Sequence, residues 1–291
     1  NLLLPSQLLF LLFFVGFAVK LPVWPLHTWL PDAHTDAPTA VSVMLAGVLL
    51  KMGGYGLMRV NVSMFPEVAQ SLSFLIGVLA VINIIYGAMV TFRQTDLKRL
   101  IAFSSISHMG YVLLGISAIG GTVSASSVGL TGAAMQMFTH GTITGLLFVM
   151  VGLIYDRTHT RHIPDLGGMA SRMPFVGVTF VFAGLASLGL PGTSGFVSEA
   201  MIFFGAFQVY KGLTIVGVVG ILITAGYILW ALQRSLFGPE MVRWNQIKDA
   251  NVVEKIAPVL LIISILAVGI YPSIIADVFS SGVENFLIGS F

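Results

Sequence analysis

The sequence predicts an all-α integral membrane protein, a polytopic helical bundle of about eight transmembrane segments with two broken helices. Of its 291 residues, 56% are hydrophobic and only 9% are charged, whereas soluble domains carry about 25% charged residues. Eight apolar stretches reach the roughly 20 residues that span a bilayer. Glycine, serine and threonine recur within these stretches, and small residues allow membrane helices to pack closely.

The eight stretches predict both the crossings and their sidedness. They lie near residues 7–31, 38–58, 71–92, 100–119, 127–155, 174–210, 212–233 and 256–279. If the segments alternate in direction, four connections share one side of the membrane: 32–37, 93–99, 156–173 and 234–255. These connections hold ten of the 14 Lys and Arg residues. The positive-inside rule therefore places them in the cytoplasm or its equivalent, and the C-terminus on the opposite side.

Composition excludes several classes of function. The absence of cysteine excludes thiolate-ligated iron–sulfur clusters, thiolate metal sites and disulfides within the chain. A net charge of +2 is too small to indicate nucleic-acid binding. For His27, Asp32 and His34 we expect hydrogen bonding at helix ends and no metal site. Asn1 opens an apolar run without a basic flank or a cleavage site, so we expect a truncated start and no signal peptide.

The first predicted broken helix contains a lysine at membrane depth. An apolar run reaches Lys20 and is interrupted at once by Pro22 and Pro25, and the next apolar run carries Lys51 within it. A lysine at the centre of a transmembrane helix costs roughly 2.5–3.5 kcal/mol on insertion scales. Both lysines are therefore candidates for function, and the alternative is that they form structural ion pairs that close the bundle.

The sixth segment is interrupted in the same way, but its ionisable group is an acid. Pro191, Gly192 and Gly195 break the apolar pattern shortly before Glu199, which lies deep inside the segment. We expect Lys20 at the end of one half-helix and Glu199 in about the first turn of another, where helix dipoles favour a cation and an anion. Paired interrupted segments indicate the working site of a transporter built from repeats, and desolvation allows such groups to load and release protons.

Two histidines extend the set of candidates. Each shares a helical face with polar neighbours: Ser104, Ser107 and Tyr111 around His108, and Gln136 and Thr144 around His140. Such stripes on apolar helices favour bound water and proton relay, for which histidine is suited. The alternative is that each histidine is a packing residue with satisfied hydrogen bonds.

The stretches that carry these residues resemble the antiporter-like membrane subunits of respiratory complex I, which are related to Mrp antiporters. The resemblance is greatest to the subunit 4 branch of NADH-quinone oxidoreductase, also called M-type or NdhD-type. The matching stretches are AVKLPVWPLHTWLPDAHTDAPTAVSVMLAGVLLKMGGYGLMR, RQTDLKRLIAFSSISHMGY, MFTHG and LGLPGTSGFVSEAMI. They cover about residues 15–210 and are specific in combination, whereas residues 211–291 match mainly in hydropathy.

The resemblance implies a fold of two inverted five-helix repeats, each with a broken helix and a half-channel. Residues 1–60 would hold the last two helices of the first repeat, 61–237 the second repeat, and 238–291 a basic loop and a closing transmembrane helix. We therefore expect an N-terminal part of the family's fold to be missing from this sequence.

The resemblance also implies roles for five residues. The family's broken-helix lysine falls on Lys20, its central lysine on Lys51, and its relay histidines on His108 and His140. The acid of the second broken helix falls on Glu199, where other branches have lysine. The family pairs its first lysine with a glutamate two helices upstream, so this sequence names no partner for Lys20.

The implied function is proton translocation by a non-redox subunit of a translocase of the NADH-quinone oxidoreductase type. We expect protons to pass from Lys20 through Lys51, His108 and His140 to Glu199, each charge changing its neighbour's titration. The alternatives are a subunit of a multisubunit Na⁺/H⁺ antiporter, of a membrane-bound hydrogenase-type complex, or a structural scaffold.

The same resemblance implies the surroundings of the chain. We expect no cofactor within it, and FMN, iron–sulfur clusters and quinone elsewhere in the complex. The expected partners are neighbouring antiporter-like membrane subunits and lipid, with no nucleic acid. The expected location is an energy-transducing membrane, namely a bacterial or archaeal cell membrane, with a thylakoid or organelle inner membrane as the alternative.

Overall fold

The computed structural model describes residues 5–288, which form helices joined by short connections. The helices are α1 (Ser6–Lys20), α2 (Trp29–Asp36), α3 (Thr39–Val62), α4 (Pro66–Thr91), α5 (Leu97–Ser117), α6 (Val123–Thr158), α7 (Pro174–Ser187), α8 (Ser194–Val209), α9 (Lys211–Leu236), α10 (Val252–Ile270) and α11 (Ser273–Ile288). Shorter helical turns occupy Ala118–Gly120, Ile163–Asp165, Met169–Arg172 and Val242–Trp244. Six helices of this described part, α3 to α6, α9 and α10, are long and apolar enough to cross a membrane.

Both predicted broken helices are confirmed. Residues 21–28 separate α1 from α2, and residues 188–193 separate α7 from α8. The prediction that Gly195 belongs to the second break is wrong, because α8 has already begun at Ser194. The extended backbone of Thr193 (φ −107°, ψ 157°) precedes that first helical residue.

Helix α5 lies at the centre of the bundle. Every residue of this helix except Arg99 is buried, because neighbouring helices surround it. It packs mainly between α4 and α6, and also contacts α2, α8 and α9. His108, in the middle of α5, therefore lies in the interior of the protein.

The four basic connections meet at one end of the bundle, as predicted. Ion pairs join different connections: Arg99 with Asp32 at 2.9 Å, Arg161 with Asp96 at 3.2 Å, and Arg157 with Glu254 at 2.5 Å. Arg161 also donates a hydrogen bond to the carbonyl oxygen of Thr35 at 2.8 Å. This end of the molecule, called the basic face below, is therefore a single connected surface.

The prediction of one closing helix over residues 256–279 is wrong. Helix α10 ends at Ile270 and α11 begins at Ser273, because Pro272 cannot donate the backbone hydrogen bond that would continue α10. At this point α10 lies against the second break, where a Cβ atom on Gly269 would overlap the carbonyl oxygen of Gly192. Helix α11 then packs against α6.

Candidate functional site

Lys51 lies on α3 between two π-helical stretches, Leu45–Leu49 and Leu57–Val62. Its Nζ donates a hydrogen bond to the carbonyl oxygen of Ala46, which lies five residues earlier in the first of these stretches. Short π-helical stretches inside α-helices occur frequently at functional sites. Lys51 is half-buried, and the carbonyl oxygen of Ala46 accepts a hydrogen bond from its ammonium group.

The second polar neighbour of Lys51 is His140 on α6. The Nζ of Lys51 lies 2.7 Å from Nδ1 of His140. The other ring nitrogen, Nε2, is buried and has no hydrogen-bond partner among residues 5–288. Thr144, predicted as a polar neighbour of His140, donates to the backbone carbonyl oxygen of His140 at 2.5 Å and not to its ring.

His108 and Glu199 form a buried pair. Nδ1 of His108 lies 3.3 Å from Oε1 of Glu199, and both side chains are only 5% exposed. Nε2 of His108 lies 3.3 Å from the hydroxyl of Ser187 at the end of α7. The ring centroids of His108 and His140 are 5.6 Å apart, so the pair lies next to the Lys51–His140 contact.

A small polar cavity lies between the two histidine rings and Glu199. Its volume is about 10 Å³, and Gln136, Thr139 and Ser187 contribute to its walls. A cavity of roughly this size accommodates about one water molecule when polar groups surround it. The unpartnered Nε2 of His140 can therefore be linked to the His108–Glu199 pair through one hydrogen-bonding molecule.

The four ionisable side chains form one row in the order Lys51, His140, His108, Glu199. The order predicted from the sequence, with His108 directly after Lys51, is therefore wrong. Helix α6 packs against both α3 and α5, and it thereby places its histidine between the lysine of α3 and the histidine of α5. We call this set of four residues the buried row.

The polar stripe around His108 serves helix packing more than the buried row. Ser104 contacts the hydroxyl of Tyr227 at 2.8 Å, and Ser107 donates to the carbonyl oxygen of Ile84 at 2.9 Å. The Tyr111 hydroxyl is buried and has no hydrogen-bond partner in the described part of the chain. On the facing helix, Gln136 accepts a hydrogen bond from Ser198 of α8 at 2.5 Å.

The first break does not bring Lys20 to the buried row. Lys20 ends α1, as predicted, but its side chain is exposed and forms no ion pair within residues 5–288. The connection after it is held by Asn83, which accepts from the backbone of Trp24 at 2.8 Å and donates to Ile106 at 2.8 Å. The connection is therefore fixed by hydrogen bonds, although Lys20 beside it is exposed.

The second break places its acid directly in the buried row. Gly189 and Gly192 have φ angles of 80° and 90°, which a side chain would disfavour. A Cβ atom on Gly189 would lie 2.9 Å from Oε2 of Glu199. Glu199 is the sixth residue of α8, just beyond the first turn near which we expected it. Because the dipole effect fades within the first turn, His108 is its main electrostatic partner.

The sequence analysis did not predict that several residues would lie near the site. Ser187 directly precedes the second break and Ser198 follows it by five residues, and their position beside the break was the available signal. His34 is fully buried and stacks on Phe148 with centroids 4.6 Å apart, and neither ring nitrogen has a partner in the described part. The expected helix-end hydrogen bond of His34 is therefore wrong.

No metal centre is evident in the described part of the chain. Within residues 5–288, no three His, Asp or Glu side chains lie close enough together to hold a metal ion. The chemistry that the buried row offers is proton exchange between neighbouring nitrogen and oxygen atoms.

Comparisons with known proteins give a consistent result. Residues 4–224 match the family described as NADH:quinone oxidoreductase/Mrp antiporter, TM. NADH-quinone oxidoreductase subunit M of Rhodobacter capsulatus is 46% identical over 282 residues, covering 96% of this chain and 54% of that protein. NAD(P)H-quinone oxidoreductase chain 4 of Gloeobacter violaceus is 42% identical over 285 residues, covering 94% and 53%.

Solved structures share the fold. A chain of respiratory complex I from Thermus thermophilus has a TM-score of 0.89 and 30% identity, covering 97% of this chain and 58% of that one. A chain of the Mrp complex from Dietzia has a TM-score of 0.86 at 20% identity, covering 96% and 59%, and this likeness concerns the fold alone. The present chain spans about half the length of the curated relatives it matches.

Proposed function

Because the chain belongs to the NADH:quinone oxidoreductase/Mrp antiporter transmembrane family, we propose that it translocates protons as a non-redox subunit of a quinone-reducing complex. Relatives 42% and 46% identical are named as subunits of NAD(P)H- or NADH-quinone oxidoreductase. FMN, iron–sulfur clusters and quinone would bind to other subunits. The partners of this chain would be neighbouring antiporter-like subunits in an energy-transducing membrane.

The buried row carries this proposal. Its members come from four different helices, α3, α6, α5 and α8. Nζ of Lys51 lies 2.7 Å from Nδ1 of His140, and Nδ1 of His108 lies 3.3 Å from Oε1 of Glu199. The ring centroids of the two histidines are 5.6 Å apart. Ionisable side chains at membrane depth are costly, and those that persist mark ion and proton pathways. A connected line of such groups is more than separate structural ion pairs require, because a lysine next to a histidine adds no neutralising charge.

Proton transfer along the row rests on the contacts at its two ends and on the small cavity between them. Lys51 can pass a proton from Nζ to Nδ1 of His140, and His140 can release one from Nε2 towards the small cavity. A hydrogen-bonding molecule in that cavity would pass the proton to Nε2 of His108, and His108 would release its Nδ1 proton to Glu199. Adjacent positive charges on Lys51 and His140 repel one another, so loading one site promotes release from the next and drives the proton towards Glu199.

The test removes single members of the row in the complete complex. Lys51→Ala and His140→Gln should each lower proton-coupled turnover by about tenfold or more, because positioned acid–base groups contribute ~10²–10⁴-fold. The double variant should be no worse than either single variant, since both interrupt one path. Proton uptake is measured in vesicles that contain the complex, an electron donor and a quinone.

The matched control is Lys211→Ala, which removes an exposed lysine that packs over the ring of Phe207. This control should pump normally. Normal pumping by Lys51→Ala, with quinone reduction intact, would contradict the proposal.

A second candidate is a respiratory complex with a different electron acceptor. A chain of the membrane-bound sulfane sulfur reductase, an archaeal respiratory membrane complex, has a TM-score of 0.85 and 30% identity, covering 94% of this chain. Proton uptake that requires a quinone supports the first candidate, and uptake that proceeds with a sulfur acceptor supports the second. Sodium-dependent proton flux without any electron donor would instead indicate an antiporter.

A further inference from the structure

His34 of α2 lies in the interior, between the buried row and the basic face. Its ring is fully buried and stacks on Phe148 of α6, with centroids 4.6 Å apart. Phe148 comes eight residues after His140 and nine residues before Arg157, which belongs to the basic face. At a rise of ~1.5 Å per residue, the stacked rings lie ~12 Å from the level of His140 and ~14 Å from that of Arg157. His34 is therefore about halfway between the two.

Both ring nitrogens of His34 are buried and have no hydrogen-bond partner among residues 5–288. Burial of a polar nitrogen without a partner costs free energy, whereas a phenylalanine ring would make the same stack without that cost. The described helices alone cover the ring completely. The two nitrogens therefore indicate that His34 binds small hydrogen-bonding molecules such as water.

A buried lysine lies between His34 and the basic face. Lys98, the second residue of α5, is only 3% exposed and forms no ion pair with any residue of the described part. Its Nζ donates a hydrogen bond of 2.7 Å to the carbonyl oxygen of Ala37, three residues after His34. The charges of Lys98 and Lys51 both act on His34, so the histidine lies electrostatically between two lysines.

The ammonium group of Lys51 is directed towards the level of His34. It donates to the carbonyl oxygen of Ala46, which lies five residues closer to the basic face along α3. Ser42, four residues before Ala46, donates to the carbonyl oxygen of His34 at 3.2 Å. Four helical residues correspond to a rise of ~6 Å, a separation that a short chain of water molecules can bridge.

Helices α3 and α6 pack less tightly between these two levels than on either side of them. A Cβ atom on Gly141 would lie 2.8 Å from a carbonyl oxygen of α3, and one on Gly152 would overlap a threonine side chain there. For Gly145, which lies between them, the nearest atom would be a methyl carbon of Val43 at 3.7 Å, an ordinary contact distance. Gly145 is itself buried, so the looser packing lies inside the protein.

We propose that His34 is a further proton-transfer residue, which carries protons between the basic face beside Lys98 and the Nζ atom of Lys51. One ring nitrogen accepts a proton from water, and release of a proton from the same or the other nitrogen leaves the ring neutral again. Positive charges on His34 and Lys51 repel one another, so His34 loads most readily after Lys51 has passed its proton to His140. This role rests on the proposed function, because Lys51 is the first member of the buried row.

Deuterium exchange at the ring carbon Cε1 of histidine tests whether His34 meets water and protons. This exchange requires contact between the protonated ring and water. The complete complex is kept in heavy water, and mass spectrometry of its peptides then measures each histidine. His34 should take up deuterium despite its burial, although more slowly than the exposed His162. No uptake at His34 while His162 exchanges fully would overturn the proposal.

His34→Phe keeps the stack on Phe148 and removes both nitrogens, so the complex should assemble normally. Proton-coupled turnover should nevertheless fall about tenfold or more, as expected when a positioned acid–base group is lost. The matched control is His27→Phe, because His27 is also buried and packs edge-on against an aromatic ring, that of Tyr86 on α4. This control should pump normally. Normal pumping by an assembled His34→Phe complex would overturn the proposal.

A second pair of variants tests the space at Gly145 without altering His34. Valine and threonine have nearly the same shape, but only threonine offers a hydroxyl group to a hydrogen-bonded chain. Gly145→Val should lower proton-coupled turnover several-fold, and Gly145→Thr should retain more of it. Equal losses in the two variants would assign this space to packing alone and would overturn the proposed link to Lys51.

Comparison with Lys51→Ala separates this inference from the proposed function. Impaired pumping by Lys51→Ala together with normal pumping by His34→Phe would overturn only the role of His34. Normal pumping by both variants would contradict the proposed function as well, whatever the deuterium uptake of His34.

Discussion

The two broken helices differ in where they place their ionisable group. At the second break Glu199 is buried, 3.3 Å from His108 and close to the backbone of Gly189. At the first break Lys20 is exposed, and the lysine that enters the buried row is Lys51 on the following helix. Both helices are interrupted, but packing decides whether the broken helix itself or a neighbouring helix supplies the ionisable group of the buried row.

The two breaks are also formed in different ways. The second makes its turn with glycines of its own, Gly189 and Gly192, at positive φ. The first depends on a glycine of the next helix, since a Cβ on Gly53 would lie 2.6 Å from the nitrogen of Leu21. One break is therefore determined by local backbone conformation, and the other by close approach of two helices.

The largest expected effect is at the buried acid. Glu199→Gln keeps the shape but removes the titrating group, and proton-coupled turnover should fall about tenfold or more. Glu199→Lys should retain more activity than Glu199→Gln if titration, and not the sign of the charge, is what the site requires. Proton uptake by vesicles is the measurement, with the exposed Glu67→Gln as the control. Equal pumping by the wild type and Glu199→Gln would remove Glu199 from the path.

Alanine substitutions at Gly53 and Gly189 should have different effects on stability and on proton pumping. Gly53→Ala forces α3 away from the first break and should cost ~1–3 kcal/mol of stability, as overpacking does. Gly189→Ala introduces a side chain at positive φ, which costs ~1–2 kcal/mol, and it also displaces Glu199, so it should lower pumping at least as clearly as stability. Thermal unfolding of the complex and proton uptake are measured together.

Gly16→Ala, with no atom within 4 Å of the added Cβ, is the matched control for both glycine variants. If Gly53→Ala behaved like Gly16→Ala, the first break would not depend on close helix approach.

A smaller effect is expected on stability, and it distinguishes residues that touch each other from residues that only lie near a break. Combining His108→Gln with Glu199→Gln should give a coupling free energy of ~0.5–3 kcal/mol, because the two side chains are in contact. The same cycle with Lys20→Gln in place of Glu199→Gln should give additive losses. Unfolding of the detergent-solubilised complex by denaturant measures both cycles. Additivity for His108 and Glu199 would mean that their contact does not contribute to stability.

The smallest effect is expected on the basic face, outside the membrane. A hydrogen bond from Arg243, with a further one from His162, holds the pKa of Asp165 below its usual range. A lowered pKa stabilises the fold above the ordinary titration range near ~3.9, and this contribution is lost as the pH falls through the lowered value. Asp165→Asn should therefore lower the unfolding temperature slightly throughout the range from pH 8 to pH 5.

This difference should shrink below about pH 4. Asp277→Asn is the control, since Asp277 is exposed and has no ion pair in the described part. A difference that grows below about pH 4 would contradict the assignment. Either way, exposed ion pairs contribute little, so the basic face is not where the stability of the breaks originates.

The sequence predicted the members of the site better than their arrangement. Lysine, histidine and glutamate at membrane depth are conspicuous because the surrounding residues are apolar, and Pro22, Pro25, Pro191 and Gly192 mark the breaks through local chemistry. The start of α8 before Gly195 and the separate helix α11 were not predicted, because helix ends depend on neighbours as well as on propensity. Two predicted polar neighbours of the histidines, Ser107 and Thr144, donate to backbone carbonyl oxygens, which the sequence does not reveal.

The sequence by itself determined the class of protein, the broken helices, the basic face and the identity of the four residues in the buried row. These follow from composition, from periodicity and from residues that cannot continue a helix, all of which are properties of short stretches. Only the tertiary structure decided that His140 lies between Lys51 and His108 and that Lys20 lies apart from them. Which helix separates two others depends on contacts between residues distant in the chain, and helical periodicity carries no record of them.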